Sequence, residues 1–371
     1  MIGLSRRDFT TGMLTALGGT LLSGAASSEN PVQNGGQKPP PKRNIPLGFD
    51  NFSVRAWGWN ADQLLDYAIR LKVDSVLFSN LEVFDSFEDP YLRGLRDRAE
   101  ARGIKIQVGT VSLCPSSEAF NPKFGSAEEH LSLLLRVAEK VGSPVARCYL
   151  GHGGDRVKGG GIRVHIDNMI KVIETGKDQA LRSGVKIAIE NHAGDLQAWE
   201  LAELIEKAGK DFVGATMDSG NSVWTLEDPL AALEILGPYA ATTGMRDSAV
   251  WQSPDGAQVQ WTNMGRGQVD WNRYMDRFQE LCPGVAFQLE IISGGPRSFD
   301  YYKPEFWQAF PEARARDLAG FVRMAANGKP PVEPEGTPSG KDEQETSRLK
   351  QSFDLEQSLS YCREVLGLGL S

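Results

Sequence analysis

The sequence predicts an α/β protein built as a closed (β/α)8 barrel with one appended C-terminal helix, and three observations predict it. Short apolar runs alternate with amphipathic segments eight times. The alternation fills about 280 residues, the usual span of a closed eight-fold barrel. No GxGxxG follows the first strand, so the dinucleotide-binding open sheet has no support.

The strands are expected at 45–50, 74–79, 104–111, 145–150, 186–191, 212–218, 240–246 and 286–292. Helical patterns fall at 61–71, 89–102, 126–141, 162–183, 197–209, 228–237, 270–281 and 311–326. The spacing in "AEEHLSLLLRVAEKVG" gives a helix one buried face. Gly103, Gly142, Gly184 and Gly209 punctuate helix ends. Residues 45–326 form the barrel. Residues 327–344, rich in Pro, Gly and charge, read as a linker. The last helix, about 345–366, carries Leu349, Phe353, Leu359 and Leu366 at roughly helical spacing. It is read as packing on the barrel, with a subunit contact in a homo-oligomer as the alternative.

Ahead of the barrel, "SRRDF" places Arg6 and Arg7 before the apolar run "TGMLTALGGTLL", and "SGAAS" follows with a cleavage region near Ala26. This reads as a twin-arginine export signal over 1–26, hence a periplasmic protein. The run is too short and too rich in Gly and Thr for a membrane span, and nothing else in the chain looks like one. Residues 27–44 are a linker. Cys114, Cys148, Cys282 and Cys362 form no CxxC pair, and their scattered spacing favours buried free thiols. A net charge of −8 gives no support to a nucleic-acid surface.

Catalytic groups in such a barrel stand at the C-terminal ends of the strands, and side chains two apart share a face. On the fifth strand Ile187 and Ile189 face the helices, so Ala188 and Glu190 face inward. On the sixth, Thr216 and Asp218 face inward, and on the eighth Gln288 and Glu290 do. Three acids thus meet at one rim. They cannot all stay ionised there without positive charge between them. A divalent cation supplies it, or arginines do, with Arg147 and Arg246 as the available pair.

"IAIENH", "TMDSGN" and "FQLEI" resemble the metal-binding strand ends of the xylose isomerase-like TIM-barrel superfamily, the sugar phosphate isomerase/epimerase group. The resemblance covers roughly residues 45–326. It implies a divalent metal held by Glu190, Asp218 and Glu290. It also implies that Glu190 and Glu290 are the acid/base pair flanking the reacting carbon. The family's strand-seven His-x-Lys-Asp is here Gly244-Met245-Arg246-Asp247, so Gly244 stands where the histidine ligand would be. No histidine follows His192. Water, His192 or Gln288 then completes the shell, or the site is weakened. An oxygen-rich site leans toward manganese or magnesium.

His192, two beyond Glu190, is read as a substrate contact, as are Asn221, Arg147, Arg246 and His152. His130 and His165 fall in helices and read as surface or packing residues. The glycine-rich stretch 151–161 reads as a flexible loop, with a lid or anion-binding loop as the alternative. Trp57, Trp59, Trp224, Trp251 and Trp261 fall near rim loops that suit sugar faces. The leading expectation is an exported, metal-dependent sugar isomerase or epimerase acting on a small carbohydrate through an enediolate. The alternatives are a lyase or hydrolase of oxidised glycosides on the same site, and a carbohydrate-binding protein on a degenerate barrel.

Overall fold

The computed structural model describes residues 42–370. The expected export signal and nearly all of the 27–44 linker lie outside the described residues. Eight parallel strands form one sheet: β1 (Leu47–Asp50), β2 (Ser75–Phe78), β3 (Lys105–Ser112), β4 (Val145–Tyr149), β5 (Lys186–Glu190), β6 (Val213–Met217), β7 (Ala240–Thr243) and β10 (Phe287–Leu289). β10 pairs with β1. The barrel closes on its other side just beyond β7, where the Met245 N–H donates to Gln288 (2.7 Å) and the Glu290 N–H donates to Met245 (3.0 Å). Eight strands with an outer helical layer make this a TIM barrel.

The helices follow the expected order: α1 (Ala61–Leu71), α2 (Asp89–Glu100), α3 (Ala127–Val141), α4 (Ile162–Thr175), α5 (Lys177–Ser183), α6 (Ala198–Ala208), the single turn α7 (Ser219–Ser222), α8 (Pro229–Leu236), α9 (Trp271–Leu281) and α10 (Ala315–Asn327). Capping explains several boundaries. Asn60 and Ser126 form capping boxes with Gln63 and Glu129, and Gly142 ends α3 in the left-handed region. The segment expected as one helix over 162–183 divides at Gly176. A Cβ there would stand 2.8 Å from Leu131 Cδ2, so the close approach to α3 selects the glycine that interrupts the helix.

Strand parity holds. Phe49, Ile187, Ile189, Phe287 and Leu289 are buried between the sheet and the helices. The barrel interior is polar: Thr242 Oγ1 reaches across to Gln107, and Gln288 Nε2 donates to Ser75 Oγ (3.0 Å). All four cysteines are buried and unpaired. His130 and His165 are fully buried packing residues.

One element was not foreseen. The strand expected over 240–246 ends at Thr243, and the chain then forms an antiparallel hairpin of β8 (Asp247–Ser253) and β9 (Gly256–Thr262). β11 (Arg297–Phe299), from the loop after β10, pairs with β9. This small sheet packs Val250, Ala257 and Val259 against Phe321 and Ala325 of α10.

The C-terminal helix α11 (Glu343–Glu364) lies across the segment after β1. Trp57 Nε1 donates to Ser352 Oγ (2.9 Å) and Tyr67 Oη to Glu356 (3.0 Å). The barrel and α11 are continuous there, because Leu355, Leu359 and Cys362 belong to the main core. No described helix is long and apolar enough to cross a membrane.

Candidate active site

The three acids converge as parity requires. Glu190 ends β5, Asp218 follows β6 and Glu290 follows β10, and each offers an oxygen within 4.8 Å of the others. All three are buried. Both arginines lie among them. Arg147 projects inward from β4, and its Nε donates to Glu190 Oε2 (2.6 Å) while Nη1 donates to Thr110 O (2.9 Å). Arg246 Nη2 bridges Asp218 Oδ2 and Glu290 Oε2, and its Nε reaches Asp218 Oδ1 (3.3 Å). Asn221 Nδ2 links Asp218 Oδ2 (2.7 Å) to Glu190 Oε1 (3.1 Å). Asp218 also caps α7, accepting from the N–H groups of Gly220 (2.7 Å) and Asn221 (2.9 Å).

A fourth acid escaped the sequence reading. Asp50 ends β1, is buried, and accepts from Ser79 Oγ (2.5 Å) and the Phe52 N–H (2.8 Å). Burial and then the charge of Glu290 push its carboxyl up to about 7. The parity argument used for the other strands would have found it, since Asp50 ends the run "LGFD". Burial likewise raises Asp218 to about 7 against the pull of Arg246, and raises Glu190 well above its ordinary value against the pull of Arg147. Burial works against charge on the two guanidiniums as well. There the facing carboxylates outweigh it and hold both above their ordinary values.

A cavity of about 840 Å³ opens over this cluster. Arg147, Arg246, Asn221, Glu290, His192 and His152 line it, with Tyr149, Trp224, Trp261, Phe299 and Phe310 among the aromatic walls. Glu190 and Asp218 do not line it; Asn221 and the two arginines stand in front of them. Of the expected acid/base pair, Glu290 alone faces the cavity.

His192 stacks on Tyr149 at 3.8 Å, and its Nδ1 lies 2.6 Å from Gly151 O. A carbonyl only accepts, so Nδ1 carries the proton and Nε2 keeps a lone pair. Burial and then Arg147 push the ring down to about 3, so it is neutral. His152 sits farther out on the rim, its side chain 43% exposed, where Nδ1 accepts from the Gly154 N–H (3.2 Å).

The glycine-rich loop is anchored, not free. Asp155 accepts from Ser117 Oγ (2.9 Å) and the His152 N–H (2.9 Å), Arg156 grips Glu200 (2.7 and 2.9 Å), and His165 Nε2 meets Lys158 O (3.0 Å). Trp224 and Trp261 stack face to face at 4.1 Å in the cavity wall. Trp57 and Trp59 stack on each other beside α11 instead.

The family model for xylose isomerase-like TIM barrels matches residues 65–323. The chain belongs to this family. A similar solved structure is a xylose isomerase domain protein from Planctomyces limnophilus (17% identity, TM-score 0.51, covering 76% of this chain and 98% of that one). D-psicose 3-epimerase from Clostridium cellulolyticum H10, solved with D-tagatose, is 14% identical with a TM-score of 0.52 over 85% of this chain and 98% of that one. The IOLI protein, solved with a zinc atom, is 13% identical with a TM-score of 0.51 over 76% and 95%. At these identities the likeness shows the fold. None of the curated proteins matches the sequence.

The family's metal can be tested against these residues. Gly244 does stand beside the acids: a Cβ there would lie 3.5 Å from Glu290 Oε2 and 3.7 Å from Asp218 Oδ2. No imidazole fills that place. Among the described residues only Glu190, Asp218 and Glu290 bring ligand atoms within 4.8 Å of one another, so His192 stands outside the cluster, and Gln288 binds Ser75 lower in the barrel. The two carboxylates that flank Gly244 are already bridged by the Arg246 guanidinium. A guanidinium does not give up its proton in a protein. An ion and Arg246 therefore exclude each other, and the side chains as placed do not fit the divalent metal.

Proposed function

We propose that this chain is an exported enolising enzyme that isomerises or epimerises a small sugar or sugar derivative carrying a carbonyl. The single observation that carries the reading is Glu290. It is a carboxylate at a barrel strand end, facing an aromatic-walled cavity, with fixed cations and a polar amide around it. The cavity volume of about 840 Å³ suits a small ligand. Trp224, Trp261 and Tyr149 make the wall aromatic, with their ring faces packed on one another and on Arg297, Arg246 and His192.

In this reading Glu290 takes the proton from the carbon next to the carbonyl and returns it after the double bond has shifted. One cavity-facing carboxylate favours a proton shift along one face of the substrate, hence isomerisation. Inversion at a single carbon needs a second group on the opposite face, and Glu190 is screened from the cavity. His192 Nε2 accepts a hydrogen bond from a substrate hydroxyl, and Asn221 and Arg147 orient the remaining oxygens. The manganese or magnesium expected from the sequence has to displace Arg246 to enter, so no step is routed through it. Export follows from Arg6 and Arg7 and favours an unphosphorylated substrate.

The test is incubation of the purified protein with a panel of ketoses and aldoses, followed by carbon NMR. Interconversion by wild type and its loss in Glu290→Gln support the proposal. Sugar binding by titration with no conversion of any panel member would instead establish a carbohydrate-binding barrel.

A further inference from the structure

We infer that Arg246 is the resident cation of this site: its guanidinium takes the place of a divalent ion, and its free Nη1 is the oxyanion-binding donor. Three independent features build that position. The first is the exchange at Gly244. Without a side chain there, nothing crowds the two carboxylate oxygens that Nη2 bridges.

The second is a slot shaped for the arginine stem. A Cβ at Gly220 would overlap Arg246 Cγ and stand 2.5 Å from Cδ and 2.9 Å from Nε. The indole of Trp261 covers the other face, with the guanidinium carbon 4.3 Å above the ring. Trp261 is itself fixed by its Nε1–H bond to Gly220 O (2.7 Å). The backbone at Arg246 is held as well, since Ser219 Oγ donates to its carbonyl (2.7 Å). A side chain that had merely fallen among unpaired acids would need neither the glycine nor the indole.

The third feature is an unspent donor. Nε and Nη2 are bonded to Asp218 and Glu290, while Nη1 is buried and has no partner among the described residues. A buried donor left unpaired is costly. Arg246 lines the cavity beside Glu290, and a substrate oxygen that reaches Nη1 from there would satisfy it.

The chemistry rests on the enolising reading. Glu290 removes the proton, the C–H electron pair becomes the new C=C bond, and the carbonyl π pair moves onto oxygen. Nη1 meets that negative charge. The hydroxyl proton passes between the two substrate oxygens, and Glu290 returns its proton to the neighbouring carbon. Atoms and charge balance with no further reagent. A fixed guanidinium donor needs no reorganisation as the charge develops.

Calorimetric titration with manganese tests the inference without any sugar. Wild type is expected to show no saturable binding. Arg246→Met combined with Gly244→His vacates the slot and adds the missing nitrogen, and is expected to bind one ion per chain, with circular dichroism confirming the fold. One tightly bound ion in wild type that is lost in Asp218→Asn overturns the inference. So does a folded double variant that binds none. With an active sugar in hand, activity is expected to survive exhaustive chelation, and Arg246→Lys is expected to lower kcat by about 100-fold or more with little change in KM, as for loss of an oxyanion donor. Titrations as expected with no sugar converted would refute the enolising reading and leave the resident cation standing. Conversion that requires added manganese would do the reverse.

Discussion

Gly220→Ala should cost far more than one methyl group at a one-turn helix ordinarily costs. Gly220 does not lie at positive φ, so the backbone accepts alanine without strain. The added Cβ overlaps the Arg246 stem and stands 2.5 Å from Cδ. If the site yields slightly, the cost is that of overpacking, about 1–3 kcal/mol. If Arg246 is driven out, Asp218 and Glu290 lose their shared cation, and breaking such a buried pair costs roughly 3–5 kcal/mol. In an Arg246→Ala background the obstacle is gone, and the same alanine should be close to neutral. Urea unfolding of wild type, both single variants and the double variant closes the cycle. A coupling of about 2 kcal/mol or more is expected from residues in direct contact. Equal costs of Gly220→Ala in the two backgrounds would mean that Arg246 does not occupy the slot, and the account of the site would fail.

Burial lowers His130 to about 4, and with 6.5 as its ordinary value the unfolded chain takes up a proton that the folded chain refuses. Its contribution is therefore whole above pH 6.5 and is lost as pH falls toward 4, by up to about 3 kcal/mol. His130→Leu removes this titration, so the wild-type-minus-variant stability difference should fall by about that amount between pH 6.5 and 4, and a flat difference would refute the assignment. Buried Asp195 and Glu227, each raised to about 8, act in the opposite sense, so only the difference curve isolates His130. Arg156→Met should destabilise by roughly 3–5 kcal/mol by stranding buried Glu200; a urea midpoint within error of wild type would contradict this. Arg6→Lys with Arg7→Lys should hold the precursor in the cytoplasm, and unchanged periplasmic accumulation would remove the export proposal.

The barrel was legible because its signals are local and repeated: apolar runs of strand length, amphipathic helices and glycine stops. Parity alone placed Glu190, Asp218 and Glu290 at one rim, and it would have placed Asp50 had it been applied to β1. What parity cannot supply is the layering above the strand ends. Glu190 is screened from the cavity by Asn221 from α7 and by Arg147 from β4, and no pattern within β5 reveals that. The sequence left metal and arginine pairing as alternatives, and the slot that Gly220 makes for Arg246 shows only in the fold. The β8–β9 hairpin did leave a trace, an alternating "AVWQS" and "AQVQW" around Pro254-Asp255-Gly256. The strict β/α alternation on either side masked it. The loop at 151–161 reads as flexible by composition, yet it is tied down by Asp155 and Arg156, whose partners Ser117 and Glu200 are distant in sequence, and by His165 from the helix that follows it.

Proton exchange with solvent tests the central claim most directly. The purified protein, treated with chelator, is incubated in deuterium oxide with each sugar that binds in the cavity, and proton NMR locates the label. The account predicts deuterium at a single carbon next to the carbonyl. It also predicts a fall of about 100-fold or more in Glu290→Gln, the scale of a lost general base. A sugar that is converted with its C–H hydrogen neither exchanged for solvent deuterium nor moved to the neighbouring carbon, or full exchange in Glu290→Gln, would contradict it.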